Sequence, residues 1–446
     1  MASDVATGRE RLIAEGVSEF AASPGGAMLA VVQGSGRTGD IWLVRRDGSE
    51  PARQITSNTR AEGGLSWNND GTQLTYSATE ANLQRPLTRS DWAAWCGTSE
   101  VRLLNIDTAE ETTFEPGCNP AFSPDGRRIA FATPPEQTGP AGQKTDLPNT
   151  ANTIRLINSK GEHGWSFAVA DGETPESGLL VYAPAWSPDG ADLAYQRFLG
   201  YQALVDMNYT EIGGSFSGDG SLADVGSGWL LPPRFAPTGL HMAIVEHDAE
   251  NARGWEGYEQ WQVRILRRGK TREIPLPDGP HTATASLVER LPRAAGVAWS
   301  PDSTTLAVLL PSGWQPDVSP NQPHFENTAP GEVWLWEPGR QPSRRIIETV
   351  DYASPLLWLP AIDNKRDNNQ DNNRANQQAN TQGNNQGVIV QAVCSGNPWV
   401  RKRLACIGAG RIPAHPIPPP SGGRTGGGPE RVHQGNGQEN EQDRTQ

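Results

Sequence analysis

The stretch Trp186 to Tyr195, WSPDGADLAY, recurs with small changes as FSPDGRRIAF at 122–131 and as WSPDSTTLAVL at 299–309. A phrase used three times marks a building unit rather than a catalytic device. Proline sets φ at the first central position of a tight turn, aspartate bonds its own backbone, and glycine accepts the left-handed conformation that follows. The phrase therefore predicts strand, turn, strand. Aligned on that turn, the chain holds six copies: AASPGGAMLAVV at 21–32, LSWNNDGTQLTYS at 65–77, AFSPDGRRIAFA at 121–132, AWSPDGADLAYQ at 185–196, RFAPTGLHMAIV at 234–245 and AWSPDSTTLAVL at 298–309. Their turn positions Gly26, Gly71, Gly126, Gly190, Gly239 and Ser303 are 45, 55, 64, 49 and 64 residues apart. Such periods suit propeller blades that carry loop insertions.

A second phrase follows each copy at variable distance, as in DIWLVRRDGSEPARQIT at 40–56 and EVWLWEPGRQPSRRIIE at 332–348. Each reads as a third and a fourth strand, so the unit is four antiparallel strands, A to D. The fourth copy fits least well, with YQALVDMNYTEIGG at 201–214 in that place. Arg9 to Ile13 reads as a lone D strand, while 352–359, 388–393 and 400–407 read as bare A, B and C strands. The expected fold is an all-β propeller over 9–410 with seven blades favoured, the last closed by both termini, and six as the alternative. Closure of this kind ties the seam between the first and last blades.

Composition agrees. Gly 49, Pro 37 and Trp 15 belong to short strands joined by turns, and the formal charge of −13 excludes a nucleic-acid backbone as the expected partner. The only lysines are Lys144, Lys160, Lys270, Lys365 and Lys402, so the other basic residues are arginines, a bias read as one of genome or habitat. No run of apolar residues is long enough to span a membrane as a helix. The opening MASDVATGRE lacks the basic-then-apolar pattern of a signal peptide, so MAS reads as a leader and any export signal is expected outside this sequence. Cys96, Cys118, Cys394 and Cys406 form two local pairs without a zinc-ligand spacing. Disulfides in a periplasmic or extracellular compartment are the leading reading, Cys96–Cys118 with Cys394–Cys406 being the simplest of three pairings; reduced thiols are the alternative.

The turn phrases, carried fully by Ser123-Pro124-Asp125-Gly126 and Ser187-Pro188-Asp189-Gly190, resemble the TolB-type β-propeller repeat over roughly residues 9–349. That resemblance implies the propeller fold and a range of roles, from periplasmic scaffolds and receptor domains to the non-catalytic propellers of prolyl-oligopeptidase-like hydrolases. The hydrolase branch is disfavoured, because the chain carries no G-x-S-x-G nucleophile elbow and too few residues after the propeller for a catalytic α/β domain.

In such a blade the A–B and C–D turns share one side, and the B–C loops and D–A links share the other. The long segments gather on the latter, in B–C loops at 77–100, 133–152, 246–258 and 311–331 and links at 171–181, 213–228 and 277–295. Trp92, Trp95, Trp255, Tyr258 and Trp314 fall in these loops and are the candidate partner contacts, with packing as the alternative role, most directly for Trp92 and Trp95 beside a disulfide. Trp67, Trp186, Trp299, Trp42, Trp334 and Trp336 recur in register and read as packing residues. Asp91, His247, Asp248, Glu250, Glu256, His324 and Glu326 are dispersed, and no spacing among them defines a metal or acid–base set. No metal and no cofactor are expected. An Asn/Gln-rich insertion at 361–387 and a Pro/Gly-rich tail at 411–446 lack apolar surface to bury and are expected to be disordered.

These features predict an extracytoplasmic protein-interaction scaffold that binds through the loop-rich side, with enzymatic activity left open. The alternatives are a lectin or polysaccharide lyase or hydrolase using the same side, and a structural subunit of a surface assembly.

Overall fold

A computed structural model describes residues 1–34, 39–80, 95–133, 153–169, 179–199, 207–213, 222–226, 232–247, 261–268, 285–314, 331–350, 355–361 and 387–391. The chain divides into Met1–Gly410 and Arg411–Gln446, and the second unit lies wholly outside the described residues, as does almost all of the Asn/Gln-rich insertion.

Among the described residues the strands form seven four-stranded antiparallel sheets. Six are blades of consecutive strands. Blade I holds Val17–Ala22, Met28–Gln33, Asp40–Arg45 and Arg53–Gln54, and blade II Ala61–Trp67, Gln73–Thr79, Glu100–Asn105 and Glu111–Pro116. Blade III holds Cys118–Phe122, Arg128–Thr133, Thr153–Asn158 and Trp165–Val169, and blade IV Leu179–Trp186, Leu193–Leu199, Met207–Gly213 and Leu222–Gly226. Blade V comprises Arg234–Phe235, His241–His247, Trp261–Arg268 and Ala285–Pro292; blade VI comprises Gly296–Trp299, Leu306–Pro311, Gly331–Trp336 and Arg344–Val350. The remaining sheet is composite and closes the ring, with Leu356–Pro360 and Gly387–Gln391 followed in space by Ala2–Asp4 and Glu10–Arg11.

The closing sheet therefore takes two strands from each end, not three and one. Ala2, Ser3 and Asp4 pair with Val390, Ile389 and Val388, so the C position assigned from sequence to 400–407 is held by the residues read as a leader. Ala2 and Ser3 are buried there. Two other boundaries also shift. The D strand of blade IV, Leu222–Gly226, lies inside the segment read as a link at 213–228, and that of blade V, Ala285–Pro292, inside the one read as a link at 277–295. In both blades the C–D connection is thus longer than a tight turn.

The turns behave as their chemistry predicts. Gly126 donates its amide to Ser123 O at 2.8 Å with φ of 70°, while Asp125 Oδ1 accepts from Ser123 Oγ at 2.6 Å and Arg127 N at 3.0 Å. Pro188, Asp189 and Gly190 repeat the pattern, with Ser187 Oγ donating to Asp189 at 2.6 Å. Successive turns also touch: Gly71 sits against Pro24, Gly126 against Asn69, Gly190 against Pro124 and Gly239 against Pro188. Thr238 N donates to Ser303 Oγ at 3.0 Å, and Gly26 meets Leu359 of the closing sheet. All six turns accordingly share one side of a closed ring.

The core lies between sheets. Separate apolar clusters fill the interfaces of I with II, II with III, III with IV, IV with V, V through VI to the closing sheet, and the closing sheet with I. Arginines span the same seams at their rims. Arg46 Nη1 donates to Pro360 O at 2.7 Å, Arg11 donates to the carbonyls of Arg46 and Asp47, and Arg344 Nη2 donates to Val5 O at 2.5 Å. Arg268 of blade V pairs with Asp189 and Asp192 of blade IV, and Arg53 of blade I reaches Ile106 O of blade II at 3.1 Å. A rigid planar fork of five donors suits such bridges better than a lysine ammonium does. Several members of the arginine excess therefore have a structural use between blades.

Candidate functional site

The inner A strands enclose a cavity of about 530 Å³ on the ring axis. Its wall follows from the repeat. Two residues before each turn the chain places Ala21, Ser66, Ala121, Ala185, Arg234 and Ala298. The first four line the cavity as small side chains that keep it open, and Ala298 is packed away with 4% exposure. Blade V breaks the series with Arg234, which also lines the cavity. Proline makes up much of the remaining wall, including Pro120, Pro184, Pro233 and Pro355, beside Leu65 and Leu357.

The residue just before the turn locks neighbouring A strands together. Trp67 Nε1 donates to Ala21 O at 3.1 Å, Trp186 Nε1 to Ala121 O at 3.0 Å and Trp299 Nε1 to Arg234 O at 2.9 Å. Each bond runs from one blade to the small-residue position of the preceding blade. Phe122 and Phe235 stand at the same position without a ring donor. The sequence reading of these tryptophans as packing residues is met by this geometry. On the C strands, Trp336 is buried and donates to Arg340 O at 2.9 Å, and Trp334 donates to Glu332 Oε2 at 3.0 Å.

Among the described residues, the ionisable side chains lining the cavity are Glu19, Glu62 and Arg234. Glu19 Oε1 accepts from the amides of Gly64 and Leu65 at 2.8 and 2.9 Å, tying blade I to blade II. Glu62 accepts from Thr56 Oγ1 at 2.6 Å and Asn58 Nδ2 at 2.8 Å, yet burial outweighs both donors and raises its carboxyl to about 7. Arg234 is half-buried, and loss of water lowers its pKa while the charge of Glu19 opposes that shift. Behind the wall, Tyr76 donates to Glu111 Oε1 at 2.6 Å, and burial, then that bond, raises the phenol. Arg60 and Arg102 complete this group, each 3.1 Å from Glu111 Oε2.

Of the candidate contacts named from sequence, Trp95 and Trp314 are among the described residues. Trp95 is buried, with 4% exposure, against Cys96, Cys118 and the inner residues of blades III and IV, so its expected role as an exposed contact gives way to packing. The cause is its neighbour: the Cys96–Cys118 disulfide, with Cα atoms 4.9 Å apart, draws the end of the B–C loop inward. Trp314 is partly buried and meets Trp334 edge to face at 5.3 Å. Trp92, Trp255, Tyr258, Cys394 and Cys406 lie outside the described residues, as do Asp91, Asp248, Glu250, Glu256, His324 and Glu326; for His247 only the backbone is described. Arg234 and Glu19 were not singled out from sequence. The signal for Arg234 was there, as the one large side chain in a column of Ala and Ser.

The chain matches no protein-family model, and no curated protein matches it in sequence. Solved structures do resemble it. The β-propeller domain of Cps50 (Swd1) from Myceliophteria thermophila, 13% identical, aligns over 78% of this chain and 91% of its own with a TM-score of 0.50. The fold is a β-propeller. An oligogalacturonate lyase from Vibrio parahaemolyticus is 14% identical over 65% of this chain and 73% of its own, with a TM-score of 0.43. TolB from Acinetobacter baumannii is 14% identical over 72% and 65%, with a TM-score of 0.39. At such identities the likeness to propellers concerns fold and carries neither activity nor partner.

Proposed function

We propose that this propeller is an extracytoplasmic protein-interaction scaffold that binds through the side bearing its B–C loops and D–A links. The observation that carries the reading is the unequal sharing of chain between the two sides. The six A–B turns are four-residue units packed against one another. On the opposite side, 20 residues separate Thr79 from Glu100, 19 follow Thr133, 13 follow His247 and 19 follow Pro311 before the next strand. Loops raised on a rigid scaffold are the usual place for recognition. Two long connections run on the turn side instead, between Arg268 and Ala285 and between Pro360 and Gly387, so the asymmetry is a preponderance rather than a rule.

The disulfide supports both halves of the proposal. It fixes the B–C loop of blade II to the first strand of blade III on the loop-bearing side, and such bonds persist in oxidising compartments. A stable partner on this side would bury roughly 1,200–2,000 Å² in total. Photo-crosslinking amino acids at Thr98 and Gly313, on the loop side, and at Asp70 and Asp302, on the turn side, test the reading in intact cells. A discrete protein adduct from the loop-side positions alone is expected. Adducts from the turn side alone, or only to polysaccharide, or only between copies of this chain, would overturn it in favour of a different face, a carbohydrate ligand or a structural assembly.

A further inference from the structure

We infer that the axial cavity is a binding site for a carboxylate carried on an apolar body, with Arg234 as its anchor. The inference is independent of the loop-side reading above, since it concerns the inner strands. Three observations support it. First, Arg234 replaces the Ala or Ser found at the same place in the A strands of the other five consecutive blades, so the blade architecture does not require an arginine there. Trp299 in fact binds the backbone carbonyl of residue 234 at 2.9 Å and would find that carbonyl with alanine too.

Second, the two acids of the cavity already hold donors, whereas the cation holds no acceptor. Glu19 takes the Gly64 and Leu65 amides, and Glu62 takes Thr56 and Asn58. Among the described residues, no hydrogen bond or ion pair is made by the Arg234 guanidinium, although Glu19 lies near enough for its charge to be felt. A guanidinium offers five N–H donors in a fork that fits a planar carboxylate through two parallel bonds.

Third, the surrounding wall selects among anions. Glu19 places negative charge near Arg234, and Glu62, raised to about 7 by burial, adds part of a second near neutral pH, which disfavours a dianionic phosphate relative to a single carboxylate. Pro184, Pro233, Pro355, Leu65, Leu357 and the edge of Trp95 offer apolar surface for the rest of the ligand. At about 530 Å³ the cavity is in the size range of small-ligand sites, and it admits a short organic acid or the last residues of a peptide ending in a free carboxylate. The recognised chemistry is shared by both.

The test uses fluorine NMR on the full chain with four probes: 4-fluorophenylacetate, its amide, a tripeptide ending in 4-fluorophenylalanine, and the same tripeptide amidated. 4-Fluorophenyl phosphate is the competing anion. Saturable binding of at least one free carboxylate is expected, at least tenfold tighter than its amide and than the phosphate. Arg234→Ala, which restores the side chain of the sister strands, and Arg234→Gln, which keeps length without charge, should each weaken that binding at least tenfold while retaining the thermal midpoint. If only the acetate binds, the natural ligand class is a small organic acid; if only the peptide binds, it is a chain terminus; either outcome supports the site. Equal binding of acid and amide, stronger binding of the phosphate, undiminished binding by both variants, or no saturable binding of either carboxylate would overturn it.

Discussion

The ring's inner seam can be weighed by removing one hydrogen-bond donor from it. Trp299 is 6% exposed, donates to Arg234 O at 2.9 Å and packs in the cluster that joins blades V and VI to the closing sheet. Replacing it with phenylalanine keeps an aromatic ring but leaves the Arg234 carbonyl without its partner. A neutral hydrogen bond contributes about 0.5–1.5 kcal/mol net, and the smaller ring adds a cavity term of about 24 cal/mol per Å³. The expected loss is about 1.5–3 kcal/mol for Trp299→Phe and about 3–5 kcal/mol for Trp299→Ala. Trp67→Phe and Trp186→Phe make the same change at partly buried rings and should cost less. Phe122 and Phe235 serve as internal controls, because blades III and V already lack the donor. Urea unfolding at pH 7, with midpoints and slopes compared across the series, measures these differences. A Trp299→Phe protein within about 0.5 kcal/mol of wild type would refute the claim that this bond holds adjacent A strands.

Three further outcomes are expected. Glu62, raised by burial from 4.5 to about 7, binds its proton more tightly in the folded state, so its contribution falls as pH rises from about 4.5 to 7, by about 3 kcal/mol in all; urea midpoints of Glu62→Gln should lack that component of the slope, and parallel pH profiles would contradict it. Replacing Cys96 and Cys118 together with serine should cost about 2–4 kcal/mol and make stability insensitive to reductant in this part of the ring, checked by unfolding with and without dithiothreitol. Deleting residues 1–5 removes the third strand of the closing sheet with buried Ala2 and Val5 and the acceptor of Arg344, and should cost about 3 kcal/mol or more; an unchanged melting temperature would contradict the composite sheet.

The parts of this fold that sequence revealed are those decided within a few residues. Ser-Pro-Asp-Gly forms its turn by local bonds, so six copies located six A–B hairpins and the period between them gave the ring. The third strand of the closing sheet is different in kind. Ala2, Ser3 and Asp4 carry no alternating pattern, and only pairing with Val388 to Val390, far along the chain, makes them a strand. The run at 400–407 has the more β-forming composition and lies outside the described residues. Blade V differs for a similar reason, since Ala285–Pro292, inside a segment read as a link, becomes a strand by its ladder with Trp261–Arg268. Trp95 read from sequence as either a loop contact or packing beside a disulfide, and the covalent tie at the next position decides for packing. Arg234 was visible as an odd letter in an aligned column, but its meaning depends on knowing that the column faces a cavity.

The composite sheet also fixes how the ring would yield under tension. Ala2 lies opposite Val390 and Asp4 opposite Val388, so the segments before Ala2 and after Val390 depart from the same end of one antiparallel ladder. A tether pulling on both would load those rungs singly and in succession, as a zipper is opened, rather than all together in shear. The weakest place under traction is therefore the join between the chain's two ends, and the six consecutive blades would still hold their own ladders when it parts.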